Sequence, residues 1–268
     1  RYYSVKVMKE ISPKKRFGQN FINDEVLLSD LVDLIKVKKN DDFLEIGPGS
    51  GNLTSLIVSS ANSCSSVEID RDLISLLKKR FKKNDNFKII NENILNFDLK
   101  KYVSDFNQIR LVGNLPYNLS SPIIDWCTKN NDLIKDMHFM FQKEFAYRCA
   151  GNENSKSYGK LSVICNYLFE VEILKEVDRS FFVPAPKVDS CFVKFIPRKK
   201  NVNFEELNFL KKILNLLFNS KRKKISKPLL KIFEAKDLEK LNINLDLRPD
   251  QLSSKKFLEL TKLMEKYG

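Results

Sequence analysis

Three features of the sequence predict an α/β fold: a Rossmann-like, mostly parallel sheet flanked by helices, followed by a small all-helical C-terminal domain. Short apolar runs alternate with stretches of helical spacing as far as Pro197. A glycine-rich turn, Gly47-Pro48-Gly49-Ser50-Gly51, joins one of those runs to a helix. Beyond Pro197-Arg198-Lys199-Lys200 the strand signal stops. A chain of 268 residues can bury a full α/β core and still carry an appendage, so the expected division is 1–197 and 198–268.

The elements follow in order. Glu25 to Ile35, after Asp24, has helical character. Phe43-Leu44-Glu45-Ile46 reads as a buried strand, and Asn52 to Ser60 carries Leu53, Leu56 and Ile57 at helix-compatible spacing. Cys64 to Ile69 is the next strand, followed by a helix over Leu73 to Phe81, a strand near Lys88–Ile90 and another over Ile109–Val112. A helix near Pro122–Cys127, a strand over Met137–Phe141, a helical or mixed stretch over Leu161–Phe169 and a strand over Cys191–Ile196 complete the first domain. In the tail, Leu207, Leu210, Ile213, Leu214 and Leu217 repeat at helical spacing within Phe204 to Phe218, as do Phe257, Leu260 and Leu263 near the end.

A strand, a glycine-rich turn and a helix in succession allow a ligand to lie against bare backbone at the carboxyl end of a parallel sheet. A dinucleotide fingerprint would need glycine at position 52 or 54, where Asn52 and Thr54 stand. The remaining G-x-G-x-G pattern favours S-adenosylmethionine over a dinucleotide, with Glu68 at the end of the next strand to hold ribose hydroxyls. Glycine-rich turns also occur for packing alone.

The tetrapeptide Asn114-Leu115-Pro116-Tyr117 sits at a strand end and suits chemistry on an exocyclic amine. Such a nitrogen has its lone pair delocalised into the ring, so its hydrogens must be accepted and the base clamped. Asn114 Oδ1 and the Leu115 carbonyl can accept, Pro116 fixes φ and lacks an N–H, and the Tyr117 ring can stack on a base. The competing reading is an ordinary β-turn, which Asn, Pro and Tyr all suit.

Lys and Arg number 47 against 34 Asp and Glu, a formal charge of +13, which predicts a polyanionic partner. Codon bias in an A/T-rich genome also inflates Lys, but it does not explain clustering. Lys14-Lys15-Arg16 and Lys221-Arg222-Lys223-Lys224 adjoin Gly, Asn or Pro and are the expected phosphate contacts. Lys78-Lys79-Arg80 reads as the solvated face of a helix. No run of eighteen apolar residues suggests a membrane span. The five cysteines are scattered without a C-x-x-C pair and His138 is the only histidine, so neither a metal site nor a disulfide framework is expected; buried thiols in a reducing compartment are. His138, in a strand-like stretch, reads as a core residue.

Six segments together resemble the KsgA family of small-subunit rRNA adenine N6,N6-dimethyltransferases. They are Lys15 to Phe21, Glu45 to Gly51, Asn114 to Tyr117, Gln142-Lys143-Glu144, Ser157 to Val163 and Pro184 to Ser190. The resemblance covers nearly the whole chain. It implies a class I methyltransferase fold with a helical RNA-recognition domain, working in the cytoplasm; for oligomeric state a monomer is the simpler expectation. Its substrate would be two adjacent adenines in the 3′-terminal hairpin loop of 16S rRNA, each receiving two methyl groups, with a role in small-subunit biogenesis.

Position by position, the resemblance implies cofactor contacts at Asn20, Ile22, Gly47, Gly49, Glu68, Asn93, Ile94 and Asn114. It sets Phe182 opposite Tyr117 across a flipped base, where each stacked ring would contribute roughly 1–3 kcal/mol. Phe182 has a second reading as a core residue beside Phe181; neighbours in a strand point to opposite faces, so at most one faces the site. Asn93 is a departure, because the family usually has Asp there; Asn can still accept a hydrogen bond but without the charge.

Other readings share the fold: a large-subunit rRNA methyltransferase of the macrolide-resistance type, a non-catalytic assembly or transcription factor, and a small-molecule methyltransferase. Leu115 and the Pro184 to Ser190 run disfavour the first. The intact Asn114 and Gly47 turns disfavour the second, and the basic clusters and helical tail the third.

Overall fold

The computed structural model describes Lys14 and residues 18–103, 108–198 and 202–267. The principal elements are β1 (Phe21–Ile22), α1 (Glu25–Ile35), β2 (Asp42–Ile46), α2 (Asn52–Val58), β3 (Ser63–Glu68), α3 (Arg71–Arg80), β4 (Phe87–Asn91) and β5 (Ile109–Asn114). They continue with α4 (Ser120–Lys129), β6 (Ile134–Gln142), α5 (Lys143–Cys149), α6 (Lys160–Leu168), β7 (Phe169–Val177), β8 (Phe182–Val183), β9 (Ser190–Pro197), α7 (Phe204–Phe218) and α8 (Ser254–Tyr267).

Seven strands form one sheet in the order β4-β3-β2-β5-β6-β9-β7, and β1 pairs with β8 in a separate two-stranded ribbon. The strands from β4 to β6 run parallel, and β9 lies antiparallel against β6. After β2 the chain steps outward to β3 and β4, then returns to place β5 on the other side of β2. The carboxyl ends of β2 and β5 therefore diverge into a crevice, the place where open α/β sheets bind ligands.

Local chemistry sets the helix ends. Asp24 caps α1 by accepting from Leu27 N (2.7 Å), and α1 stops at Lys36, which takes a left-handed φ of 54°. Between these ends Leu27, Leu28, Leu31 and Ile35 turn one apolar face to the sheet, where they join Phe43, Ile57, Val112 and Phe192 in the core. At the opposite end of the sheet from the crevice, Arg110 on β5 is 5% exposed. It reaches Asp41 (2.7 Å), Asp136 (2.8 Å) and the Ile35 carbonyl (2.6 Å), tying the end of α1 to β5, to β6 and to the residue that precedes β2.

The described residues fall into two compact units. One comprises the residues up to Ala146 together with Glu172–Pro197; the other comprises Tyr147–Val171 and the residues from Arg198 on. Tyr147–Val171, which the sequence division assigns to the first domain, clusters with the helical unit instead of the sheet unit. The reason is packing within that unit. Tyr167 donates to Glu206 on α7 (2.5 Å), Tyr158 donates to the Leu252 carbonyl (2.9 Å), and Lys160 reaches Asn215 (2.8 Å). The Phe218 and Phe257 rings stack 5.7 Å apart between α7 and α8. The segment over Leu161–Phe169 is a helix as far as Leu168; β7, beginning at Phe169, is a strand absent from the expected elements.

Candidate active site

A cleft of about 300 Å³ opens at the crevice between β2 and β5. Its walls are the ends of four parallel strands and the segment leading into β1. Asn20, Ile22, Gly47, Gly49, Glu68, Asn93, Ile94, Asn114, Leu115 and Pro116 all line it, so residues spread over almost a hundred positions converge on one cavity.

The glycine turn closes the end of β2. Gly47 and Gly49 have φ of 66° and 58°, which side-chain-bearing residues rarely adopt. A Cβ on Gly47 would meet nothing within 4 Å, so bare backbone faces the cleft. At Gly49 the same atom would come within 2.8 Å of the Phe21 ring, which packs over the turn. Arg80 braces the turn from outside, donating to the Ser50 carbonyl (2.6 Å) and Asn52 Oδ1 (3.0 Å). It is therefore more than part of a solvated helix face.

Three glutamates line the cleft, Glu45, Glu68 and Glu92, and the first two are enclosed. Glu68 is 7% exposed and accepts from the backbone of Ile69 (2.8 Å) and Asp70 (2.9 Å) through one oxygen. Burial raises its pKa, while those N–H groups and that of Gly49 pull it down. Glu45, which the sequence reading left without a role of its own, also lines the cleft. It is 2% exposed, accepts from Thr54 (2.5 Å) and Ser66 (3.3 Å), and burial pushes its pKa to about 7. Its place at the end of β2, one residue ahead of the glycine turn, is the signal that could have found it. An acidic cleft with an open glycine backbone fits S-adenosylmethionine, which carries a sulfonium and an ammonium charge beside its ribose.

Asn114 ends β5. Its Nδ2 donates to the Asn20 carbonyl (2.6 Å), an arrangement that fixes the amide and leaves Oδ1 as the acceptor at the cleft. The Asn20 amide, with its nitrogen turned to the neighbouring carbonyls, donates to Pro184 (3.1 Å) and Gln19 (3.3 Å), and Asn52 donates to the Ile22 carbonyl (3.0 Å). The segment around Asn20 is thereby pinned across the cleft from both sides. Asn93 accepts from Leu95 N (3.1 Å), capping a short helical turn that sets Ile94 against the cavity.

Tyr117 follows the cleft-lining residues and is half-buried, its hydroxyl hydrogen-bonded to Ser190 Oγ (2.7 Å). Burial raises its pKa, so it stays a phenol at neutral pH. The Phe182 ring does not stand open opposite Tyr117: it is 2% exposed within the core cluster, because its strand pairs with Ile22 and turns that face inward, and Phe181 is the neighbour turned out, at 38%. Of its two readings, the core residue is the one the structure displays.

Among the basic positions, Lys14 is ion-paired with Asp70 and Asp72, both at 2.6 Å, so its charge is directed to the start of α3 instead of standing clear for phosphate. Lys15 and Arg16 lie outside the described residues. Arg222, Lys223 and Lys224 are exposed in the turn after α7, with Lys224 paired to Asp246 (2.7 Å). The five cysteines are buried thiols, and His138 is fully buried on β6 with its pKa lowered by burial to about 4, a neutral core residue. Among the described residues no group of His, Cys, Asp or Glu is arranged to hold a metal ion, and no helix is long and apolar enough to cross a membrane.

Comparison with known proteins agrees with this geometry. A family model described as ribosomal RNA adenine dimethylase matches residues 11–266. Ribosomal RNA small subunit methyltransferase A of Colwellia psychrerythraea is 38% identical over 248 residues, covering 92% of this chain and 82% of its own length. The protein of that name from Marinobacter nauticus is 37% identical over 256 residues, covering 95% and 92%. Among solved structures, a dimethyladenosine transferase from Plasmodium falciparum superposes with a TM-score of 0.80 at 28% identity, covering 92% of this chain and 98% of its own. The 23S rRNA methyltransferase ErmE gives 0.72 at 25%, covering 92% and 100%. The sheet order, the crevice and these likenesses identify the fold as the Rossmann-like methyltransferase fold, and the chain belongs to the ribosomal RNA adenine dimethylase family.

Proposed function

We propose that this chain transfers methyl groups from S-adenosylmethionine to N6 of two adjacent adenines in the 3′-terminal hairpin loop of small-subunit rRNA, acting in the cytoplasm as a monomer during small-subunit biogenesis. The observation that carries the reading is Asn114, whose amide is oriented by the Asn20 carbonyl so that its oxygen is the acceptor at the cleft. Identity of 37–38% over more than nine-tenths of the chain to proteins named for the small subunit supports that subunit over the large one.

When bound, S-adenosylmethionine supplies a methyl group already activated by sulfonium charge and open to in-line attack by N6. Glu68 would take the ribose hydroxyls, Asn93 and Ile94 the adenine ring, and the backbone at Gly47 and Gly49 the amino-acid moiety. Asn114 Oδ1 and the Leu115 carbonyl would accept the two N6 hydrogens, which holds the amine lone pair toward the cleft and away from conjugation with the ring. The Tyr117 ring would stack on the flipped base. His138 is enclosed in the core and Tyr117 stays protonated, and no protein base is assigned to the step; the N6 proton would depart to water after transfer. Arg222 and Lys223 would meet RNA phosphates.

Labelled S-adenosylmethionine offered to unmethylated small ribosomal subunits, with large subunits as control, tests the reading. Dimethyladenosine in the small subunit alone is expected. Label confined to the large subunit would overturn the assignment, and cofactor binding without any label would point to an assembly factor.

A further inference from the structure

Beside the Tyr117 seat lies a second, shallow cavity of about 530 Å³, built by the start of α5 and the loop between β7 and β9. Its connection to the candidate site is direct. Tyr117 is hydrogen-bonded to Ser190, the next residue back is Asp189, and Asp189 accepts from Arg179 N (3.2 Å) through its carboxylate while its carbonyl accepts from Lys143 N (2.9 Å). Arg179 Nη1 also donates to the Lys187 carbonyl (3.3 Å), and Asp178 caps the turn by accepting from Ser180 N (2.8 Å).

The loop is therefore folded by its own hydrogen bonds, and it holds out two groups that core packing does not use. Arg179 is exposed and lines the cavity, its guanidinium donating to the Lys187 carbonyl and its charge helping, after the hydrogen bonds from Ser180, to lower the pKa of the adjacent Asp178. Phe181, on the same turn, leaves an aromatic ring 38% exposed immediately before the strand that pairs with β1. An aromatic ring turned to solvent within two residues of an exposed guanidinium suits a single-stranded nucleic acid, whose bases stack on rings and whose phosphates take bidentate arginine contacts.

We propose that Arg179 and Phe181 form a subsite for the nucleotide next to the target adenine, Phe181 stacking on its base and Arg179 taking its phosphate. This rests on the RNA-methyltransferase reading above. Once the target base is flipped, its neighbour loses a stacking partner, and the exposed Phe181 ring, next in the chain to the Phe182 that pairs with cleft-lining Ile22, would replace that partner. The subsite recognises unstacked RNA, so it favours a loop over a duplex.

The test is methyl transfer to unmethylated small subunits across subunit and salt concentration, using the full chain and its Phe181→Ala, Phe181→Trp and Arg179→Gln variants, with cofactor affinity measured alongside. Phe181→Ala is expected to raise KM for the subunit about tenfold with kcat within twofold, and Phe181→Trp to restore it. Arg179→Gln is expected to raise KM several-fold and lower the slope of log KM against log salt by about 0.7 to 0.9. Unchanged cofactor affinity shows that each variant is folded. If the unaltered protein methylates subunits but KM stays within twofold in both the Ala and Gln variants, the subsite is wrong while the functional reading stands. If the unaltered protein transfers nothing, the functional reading fails and the subsite falls with it.

Discussion

Asn114→Ala separates the two jobs that the structure gives one side chain. The Oδ1 acceptor is lost at the position where an adenine N6 hydrogen would be held. Removing one preorganised polar group from a catalytic site costs about 3 kcal/mol, or roughly two orders of magnitude in kcat. The Nδ2 bond to the Asn20 carbonyl (2.6 Å) is lost as well. That bond helps pin the segment around Asn20 across the cleft, and a net hydrogen bond of about 1 kcal/mol corresponds to roughly a fivefold weakening of cofactor affinity. Asn114→Asp divides the effects: it keeps an acceptor but turns an oxygen toward the Asn20 carbonyl, so cofactor binding should suffer more than in the alanine variant. The assay is single-turnover methyl transfer to small subunits at saturating S-adenosylmethionine, with calorimetric titration of cofactor on each variant. A kcat for Asn114→Ala within threefold of the unaltered protein would refute the amine-accepting role.

Four further outcomes are expected. Glu45 has a folded pKa near 7 against an ordinary 4.5, so the folded state holds its proton more tightly. Its contribution to stability is therefore fully present below about pH 4.5 and is lost as pH rises through about 7, a loss on the order of 3 kcal/mol; urea titrations of the ligand-free protein should show Glu45→Gln gaining on the unaltered chain across that window, and parallel curves would remove the effect. Arg110→Ala leaves the carboxylates of Asp41 and Asp136 without the guanidinium between them and should destabilise the fold by about 3–5 kcal/mol, read as a fall in the denaturation midpoint; a change below 1 kcal/mol would count against the network. Asn93→Asp keeps the cap on Leu95 N and adds charge at the cofactor, so S-adenosylmethionine should bind roughly three- to tenfold tighter, whereas an unaltered Kd would make the residue neutral there. Replacing Arg222 and Lys223 together by Ala should weaken subunit binding and reduce its salt slope by about 1 to 2, and an unchanged slope would exclude that turn from the RNA interface.

Much of the fold was legible because its signals are local. The spacing of Leu207, Leu210, Ile213, Leu214 and Leu217 marks α7 through its buried face, and all five are buried. The glycine turn announces itself because positive φ at positions 47 and 49 demands glycine. The strand β7 was missed although Phe169-Glu170-Val171-Glu172-Ile173 alternates with period two, since its first residue also completes the helical pattern of Leu161 to Leu168.

The sequence by itself determined the chemistry available to this protein: an amide and a carbonyl at a strand end, a glycine turn, an acid one strand away and an excess of positive charge. Only the tertiary structure decided which of those groups meet and in what state. Asn20 and Asn114 touch across 94 positions, Glu45 is enclosed until its pKa approaches neutrality, Lys14 is drawn to two aspartates, and Phe182 turns into the core while Phe181 turns out. Residue type and periodicity are written along the chain. Partner, burial and the direction a ring faces depend on long-range packing, which enters only when the strands are set side by side.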